Sequence, residues 1–201
     1  MKKIDIAKSI IKNNGGIAKT AQLNEVGIQN SEIKKMCERG ELERVKHGYY
    51  QVASQMEISE EKMIATFLEE GIVCMESALF YYGYSDKTPL VWTIAVPRNI
   101  SRSKISIDNF AYKLYFVQHD KLSLGKTTGE FNGIELPVYD RERTICDCFK
   151  YKSKMDNEMI NKEINAYVAD DNKNLSNLSK YAKEMRVYKK VTELMEVMLN
   201  G

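Results

Sequence analysis

Between Lys19 and His47 the chain carries amide, hydroxyl and cationic side chains at spacings that suit the two readable surfaces of a nucleic-acid duplex. Gln29, Asn30, Ser31 and Lys34 stand at the start of a predicted helix. Amides and lysines there can pair with base edges in a major groove, and a hydroxyl adapts to either partner. Lys35, Arg39, Arg44 and Lys46, with Lys19 upstream, supply the cations that sit on flanking phosphates. His47 joins Arg44 and Lys46 at a predicted turn. A thin basic projection of that kind suits the negative potential of a minor groove.

The elements that must position these side chains can be read from the same stretch. Ile17 and Ala21 give a short helix an inward face, and Val26-Gly27-Ile28 makes a turn in which Gly27 adopts φ > 0 at no steric cost. Asn30 or Ser31 caps the next helix, whose Ile33, Met36 and Cys37 fall on one stripe before Gly40 stops it. Leu42–Lys46 and Tyr49–Val52 alternate as strands around His47-Gly48, so one of Tyr49 and Tyr50 must face inward. Residues 17–52 therefore read as a winged helix-turn-helix, a device for holding duplex DNA. An amphipathic helix over 3–13, with Ile4, Ala7, Ile10 and Ile11 inward and Gly15-Gly16 as its stop, precedes it.

Charge is distributed accordingly. The whole chain of 201 residues has a net charge of only +2, yet residues 1–52 hold ten Lys or Arg against six Asp or Glu, and the rest is net negative. The positive charge lies where phosphate would be met. No apolar run approaches a membrane span, and MKKIDIAKSIIKNN lacks the apolar core of a signal peptide, so a cytoplasmic protein is expected. Cys37, Cys74, Cys146 and Cys148 lack CxxC spacing and read as buried reduced thiols. With only His47 and His119 to assist them, no metal site and no cofactor is expected.

Beyond a connector at 53–58 the pattern is mixed. A helix from Ser59 to about Glu70 buries Met63, Ile64, Phe67 and Leu68 and stops at Gly71. Strand character follows at 72–75, 90–96 and 112–118, with a helix over 76–82 ending at Gly83. Phe131-Asn132-Gly133-Ile134 signals a hairpin, and Pro137 is expected at a sheet edge. Helices are expected over 141–152, 156–169, 175–185 and 187–199. The fold class is α+β: an N-terminal winged helix-turn-helix domain, 1–52, then a larger mixed α/β C-terminal domain, 53–201, with a helical end.

Other chemistry-bearing groups have plainer readings. Asp140, Glu142 and Asp147 could suggest a metal-dependent nuclease. Asp140 is better placed as a helix N-cap, and Glu142 then lies in the first turn, where a carboxylate complements the helix dipole. His119 beside Asp120 has no GxSxG to serve. Gly125–Gly133, GKTTGEFNG, lacks the spacing of a phosphate loop and reads as a turn. Lys180, Lys183, Arg186, Lys189 and Lys190 form a candidate basic surface on the last two helices, either a solvated face or a dock for an acidic partner.

With these pieces in place the chain resembles the AbiEi-type antitoxins, the repressor halves of bacterial type IV toxin–antitoxin pairs. The resemblance rests on GGIAKTAQLNEVGIQNSEIKKMCERGELERVKHGYY, on VCMESALFYYGY and on GIELPVYDRERTICDCFKY, and spans nearly the full length. It implies a winged helix that binds inverted repeats of operator DNA upstream of its own operon, in some members cooperatively, and represses transcription. It also implies a C-terminal domain that counteracts a nucleotidyltransferase-like toxin without a stable complex, in the service of abortive infection by phage. By position, DNA contact carries over to Lys19, Gln29, Asn30, Lys34, Lys35, Arg39, Arg44 and Lys46. No catalytic residue carries over, so the expected protein is not an enzyme. It is expected as a monomer in solution, with two copies on DNA. Its rivals are a ligand-responsive winged-helix regulator without antitoxin activity, and a DNA-directed enzyme built on Asp140, Glu142 or Asp147.

Overall fold

Apolar side chains spaced three and four apart produce the first helix, α1 (Lys3–Asn13), which buries Ala7 and Ile11 completely. The computed structural model describes residues 2–53, 58–101, 105, 107, 111–154 and 157–200. Its contacts divide the chain into two units. One takes Met1–Glu60 with residues 106–109, and the other takes Glu61–Ile105 and Phe110–Gly201. Most of the predicted connector, at 54–57, lies outside the described residues. The fold is α+β.

In the first unit α1 is followed by β1 (Ala18–Lys19), α2 (Thr20–Glu25), α3 (Asn30–Glu38), β2 (Leu42–Lys46) and β3 (Tyr49–Val52). The three strands pair antiparallel in the order β1-β3-β2. Leu23, Ile28, Ile33, Met36, Leu42 and Val52 join Ala7 and Ile11 in one core. Ala21 is exposed rather than inward. Ile17 is buried but precedes α2, so Leu23 is the inward residue of that short helix. Gly27, at φ +83°, makes the turn that drops Ile28 into the core.

The second unit holds α4 (Glu60–Phe67), β4 (Ile72–Val73), α5 (Met75–Tyr81), β5 (Trp92–Pro97), β6 (Tyr112–Val117), α6 (His119–Leu122), β7 (Lys126–Phe131) and β8 (Ile134–Tyr139). Then come α7 (Arg141–Lys150), a 3-10 turn (Lys152–Lys154), α8 (Asn157–Ala169), α9 (Leu175–Glu184) and α10 (Tyr188–Asn200). The sheet runs β6-β5-β4-β8-β7, with β5–β6 and β4–β8 parallel and the other pairs antiparallel. Two expectations fail here. Lys126–Phe131, read as a turn, is a strand paired along its whole length with β8. Pro137 is not at an edge, because β8 lies between β4 and β7; it is tolerated where the two-residue β4 reaches β8 only at Val138.

The junction of β4 and α5 is held by a reciprocal pair. The Thr93 N–H donates to Ser77 Oγ at 2.9 Å, and the Ser77 N–H donates to Thr93 Oγ1 at 2.9 Å. The Thr93 hydroxyl also donates to the Cys74 carbonyl at 2.6 Å. This brace keeps Met75, fully buried, in the left-handed region at φ +46°.

Four successive residues after β8 each fasten a different part of this unit. Asp140 caps α7 by accepting from the Arg143 N–H at 2.8 Å, and also accepts from the Tyr181 hydroxyl of α9 at 3.0 Å. Arg141 meets Asp170 at 2.9 Å and lies 4.7 Å from the Tyr82 ring centroid. Glu142 accepts from the Tyr167 hydroxyl of α8 at 3.2 Å and from the Asn174 N–H at 2.7 Å. It lies in the first turn of α7, as expected, and is a buried acceptor there. Arg143, fully buried, donates to the carbonyls of Lys121 and Leu124 at 2.8 and 2.9 Å and pairs with Asp147 at 3.3 Å.

Candidate nucleic-acid interface

Helix α3 buries Ile33 and Met36 and half-buries Cys37, which turns Asn30, Ser31, Lys34, Lys35 and Glu38 outward. Its start is set neither by Asn30 nor by Ser31. Gln29 is the N-cap, and its N–H donates to Glu32 Oε2 at 3.0 Å. The side chains of Asn30 and Ser31 are thus left to face solvent at the helix's amino end, where unpaired N–H groups also point. Gln29, Asn30 and Ser31 line an open recess together with Asn24 and Gly27. Asn24 carries little signal in the sequence beyond its place in the last turn of α2, just before the glycine turn.

Lys34 lies 3.8 Å from Glu38 in an exposed i,i+4 pair, an arrangement worth only a few tenths of a kcal/mol (~0.3–0.5) and easily exchanged for a phosphate. Arg39 closes α3: its Nε donates to the Lys35 carbonyl at 3.2 Å and lies 3.7 Å from Glu41. Gly40 follows at φ +67° and turns the chain into β2. Lys35 and Arg39 are both exposed.

The β2–β3 hairpin carries Arg44, Lys46 and His47, with Arg44 and His47 exposed and Lys46 half-buried. Register slips between Arg44 and Lys46, and Lys46 then pairs with Tyr49 across His47-Gly48, where Gly48 takes φ +80°. The hairpin tip is tied to α2, since the Gly48 carbonyl accepts from the Thr20 N–H at 2.8 Å and from its hydroxyl at 3.2 Å. Lys19 pairs with Tyr49 across the sheet and holds its ammonium 5.8 Å from that ring centroid. Tyr49 and Tyr50 are both half-buried, and Tyr50 is the one packed on the core. The first unit therefore presents the exposed amino end of a helix and a basic hairpin whose tip is anchored beside Lys19.

Residues 5–53 match the family model described as "Transcriptional regulator, AbiEi antitoxin". The AbiEi-like segment contains every residue of the α3 and hairpin surfaces. It ends before the second unit begins. No curated protein matches the chain. Among solved structures, that of the RV2827C protein from Mycobacterium tuberculosis superimposes with a TM-score of 0.62 at 12% identity. The likeness covers 89% of this chain and 70% of that one, and at such identity it is a likeness of fold.

The remaining candidates lie in the second unit. Asp140, Glu142 and Asp147 are each engaged in the anchoring contacts described above, so the structure does not gather them around an open site. Among the described residues no group of three or more His, Cys, Asp or Glu is placed to hold a metal ion. Burial raises the thiols of Cys74, Cys146 and Cys148 above their ordinary range. Lys180, Lys183, Arg186, Lys189 and Lys190 are all exposed around α9 and α10. Arg186 occupies the left-handed position that ends α9, at φ +60°, and the Val187 N–H donates to the Ala182 carbonyl at 2.9 Å. No helix among the described residues is long and apolar enough to cross a membrane.

Proposed function

We propose that this protein is a type IV antitoxin and transcriptional autorepressor. Its first unit acts as a winged helix-turn-helix, with α3 as the recognition helix and the β2–β3 hairpin as the wing. Gln29, Asn30, Ser31 and Lys34 meet base edges of operator DNA, while Lys19, Lys35, Arg39, Arg44, Lys46 and His47 meet phosphates or the adjacent minor groove. Two copies occupy inverted repeats upstream of the protein's own operon. The second unit counteracts a nucleotidyltransferase-like toxin encoded beside it, without a stable complex and without catalysis by this chain.

The observation that carries this reading is the exposed amino end of α3 standing in the same unit as a basic hairpin, within a segment that matches an antitoxin-regulator family. The concentration of positive charge in residues 1–52 adds support. Two measurements on the full chain test it. Footprinting on the region upstream of the gene should protect paired, inverted half-sites, with affinity falling steeply as salt rises. Co-expression with the adjacent gene should rescue growth that the adjacent gene alone arrests. Protection without rescue leaves a plain regulator; rescue without protection removes the DNA-binding role.

A further inference from the structure

Strand β7 is one edge of the second unit's sheet. The two-residue turn Asn132-Gly133, with both residues at positive φ, closes its hairpin with β8 at Phe131 and Ile134. The closing residues of such a turn exchange hydrogen bonds, and the exchange recurs at every second residue along the ladder. The Asp140 N–H, donating to the Gly125 carbonyl at 2.7 Å, keeps the same phase at the far end. Thr127, Gly129 and Phe131 therefore turn their backbone groups toward β8, and Lys126, Thr128 and Glu130 turn theirs outward. The Lys126 N–H donates to the Ser123 carbonyl at 3.1 Å. Among the described residues the other outward groups meet no protein partner.

The side chains add a charge pattern. Lys126, Thr128 and Glu130 share one face of the sheet, and all three are exposed. Within one copy Lys126 and Glu130 stand about 13 Å apart along the strand, too far to pair. Glu130 instead faces Glu135 of β8 directly across the ladder. Both carboxylates are exposed, and like charges in that relation destabilise a sheet. Among the described residues Lys126, Glu130 and Glu135 have no ion-pair partner.

We propose that β7 is the strand through which two copies of the chain associate, pairing antiparallel with the same strand of the second copy to make one continuous sheet. A two-fold axis perpendicular to the sheet at Thr128 sets Thr128 opposite Thr128 and each Lys126 opposite the other copy's Glu130. These are the residues whose backbone groups face outward, so hydrogen-bond phase and charge select the same register. The two Thr128 residues exchange N–H···O bonds, and each Glu130 N–H donates to the Lys126 carbonyl across the axis. Each incoming lysine meets Glu130 beside Glu135 and relieves the like-charge pair. A slip of one residue sets outward groups against inward ones. A slip of two sets Lys126 or Glu130 against Thr128. A uniformly acidic or basic peptide laid on this edge would satisfy the backbone but oppose one of the two charges. A contact of so few bonds is weak, with a dissociation constant in the micromolar range or above (~1 μM to 1 mM). Such a protein is monomeric when dilute and pairs when crowded. The inference does not rest on the DNA reading.

Sedimentation equilibrium of the full chain without DNA tests it directly. The unmodified protein should self-associate reversibly. Thr128→Pro removes an outward N–H that the intrachain ladder does not use, so the fold should stand while association is lost. Lys126→Glu and Glu130→Lys, at exposed positions, should each weaken association about tenfold or more. An equimolar mixture of those two variants should recover a heterodimer, because each pair across the axis is again lysine against glutamate. Circular dichroism checks folding, and the two charge variants decide the matter if the proline variant does not fold. A chain that stays monomeric at ~1 mM, folded variants that associate like the parent, or a mixture that fails to recover would each overturn the proposal. So would capture of an extended peptide on β7 by a chain that does not self-associate.

Discussion

The ammonium of Lys3 lies 2.7 Å from one carboxylate oxygen of Glu32 and 2.8 Å from the other, joining the start of α1 to the first turn of α3. The same carboxylate accepts the Gln29 N–H at 3.0 Å. Both contacts hold Glu32 below the ordinary carboxylate range, the lysine more strongly than the backbone. One side chain thus both begins the proposed recognition helix and fixes it to its neighbour.

Glu32→Ala should consequently weaken DNA binding although Glu32 itself is acidic. Removing a negative charge near phosphate would, by charge alone, tighten binding. Tighter operator binding, with an unchanged melting curve, would show that the Lys3–Glu32 contact has no positioning role.

Lys34→Ala combined with Lys35→Ala should leave the fold intact, since both side chains are exposed. Operator affinity should fall, and the slope of log affinity against log salt should shrink by about 2 as two phosphate-side cations are lost. Titrations at several salt concentrations read both. An unchanged slope would take α3 off the DNA.

Arg143→Met should destabilise the second unit by ~3–5 kcal/mol, because it leaves the buried Asp147 carboxylate without its cation. Burial already raises Asp147 above its ordinary range, against the pull of Arg143. Adding Asp147→Leu should recover part of the loss, and urea denaturation of both variants measures the difference.

Gly125→Ala should be costly for two separate reasons. Gly125 sits at φ +71°, and a methyl group there would lie 2.5 Å from Arg143 Cβ. A loss of at least ~2 kcal/mol is expected, combining left-handed strain with overpacking. A neutral result would mean that the 123–125 turn can move away from α7.

Glu163 gives a pH signature of defined sign. It is 1% exposed, and burial, with the Glu76 carboxylate adding to it, pushes its pKa up from 4.5 to about 7. A carboxylate that holds its proton better folded than unfolded contributes stability below about 4.5 and loses it as pH rises to about 7. Glu163→Gln should match the parent at low pH and exceed it by up to roughly 3 kcal/mol above neutrality. Melts from acid to alkaline pH that run parallel for the two proteins would exclude this role.

Much of the first unit could be read directly because its signals are local. The limits of α1 follow from Ile4, Ala7, Ile10 and Ile11 and the double glycine, and the hairpin from alternation about His47-Gly48. The cap of α3 is not legible in the sequence, because Asn30 and Ser31 are the better capping types, whereas Glu32 reaches back to the Gln29 N–H and shifts the start by one residue. Strand β7 was hidden because KTTGEF has little apolar pattern; its extended form comes from pairing with β8, a tertiary effect. Glu142 and Arg143 resemble surface charges in sequence, and only the arrival of Tyr167, Asn174 and the carboxyl end of α6 makes them interior. For the candidate interface, residue types and exposure could be anticipated, but the Thr20 tie to Gly48 could not, since it joins residues 28 apart.

The run Asp140-Arg141-Glu142-Arg143 also sets where this chain can be shortened. Tyr181 completes the hydrogen bonding of Asp140, and the Asn174 N–H that of Glu142. Deleting everything from Asn174 onward would take one partner each from two carboxylates at the head of α7, distant from the cut in sequence but adjacent to it in space. The damage would pass through Arg143 to the end of α6 and the turn after it. Nested deletions should therefore show an abrupt limit rather than a gradual decline, with α9 indispensable to a helix that precedes it by some thirty residues.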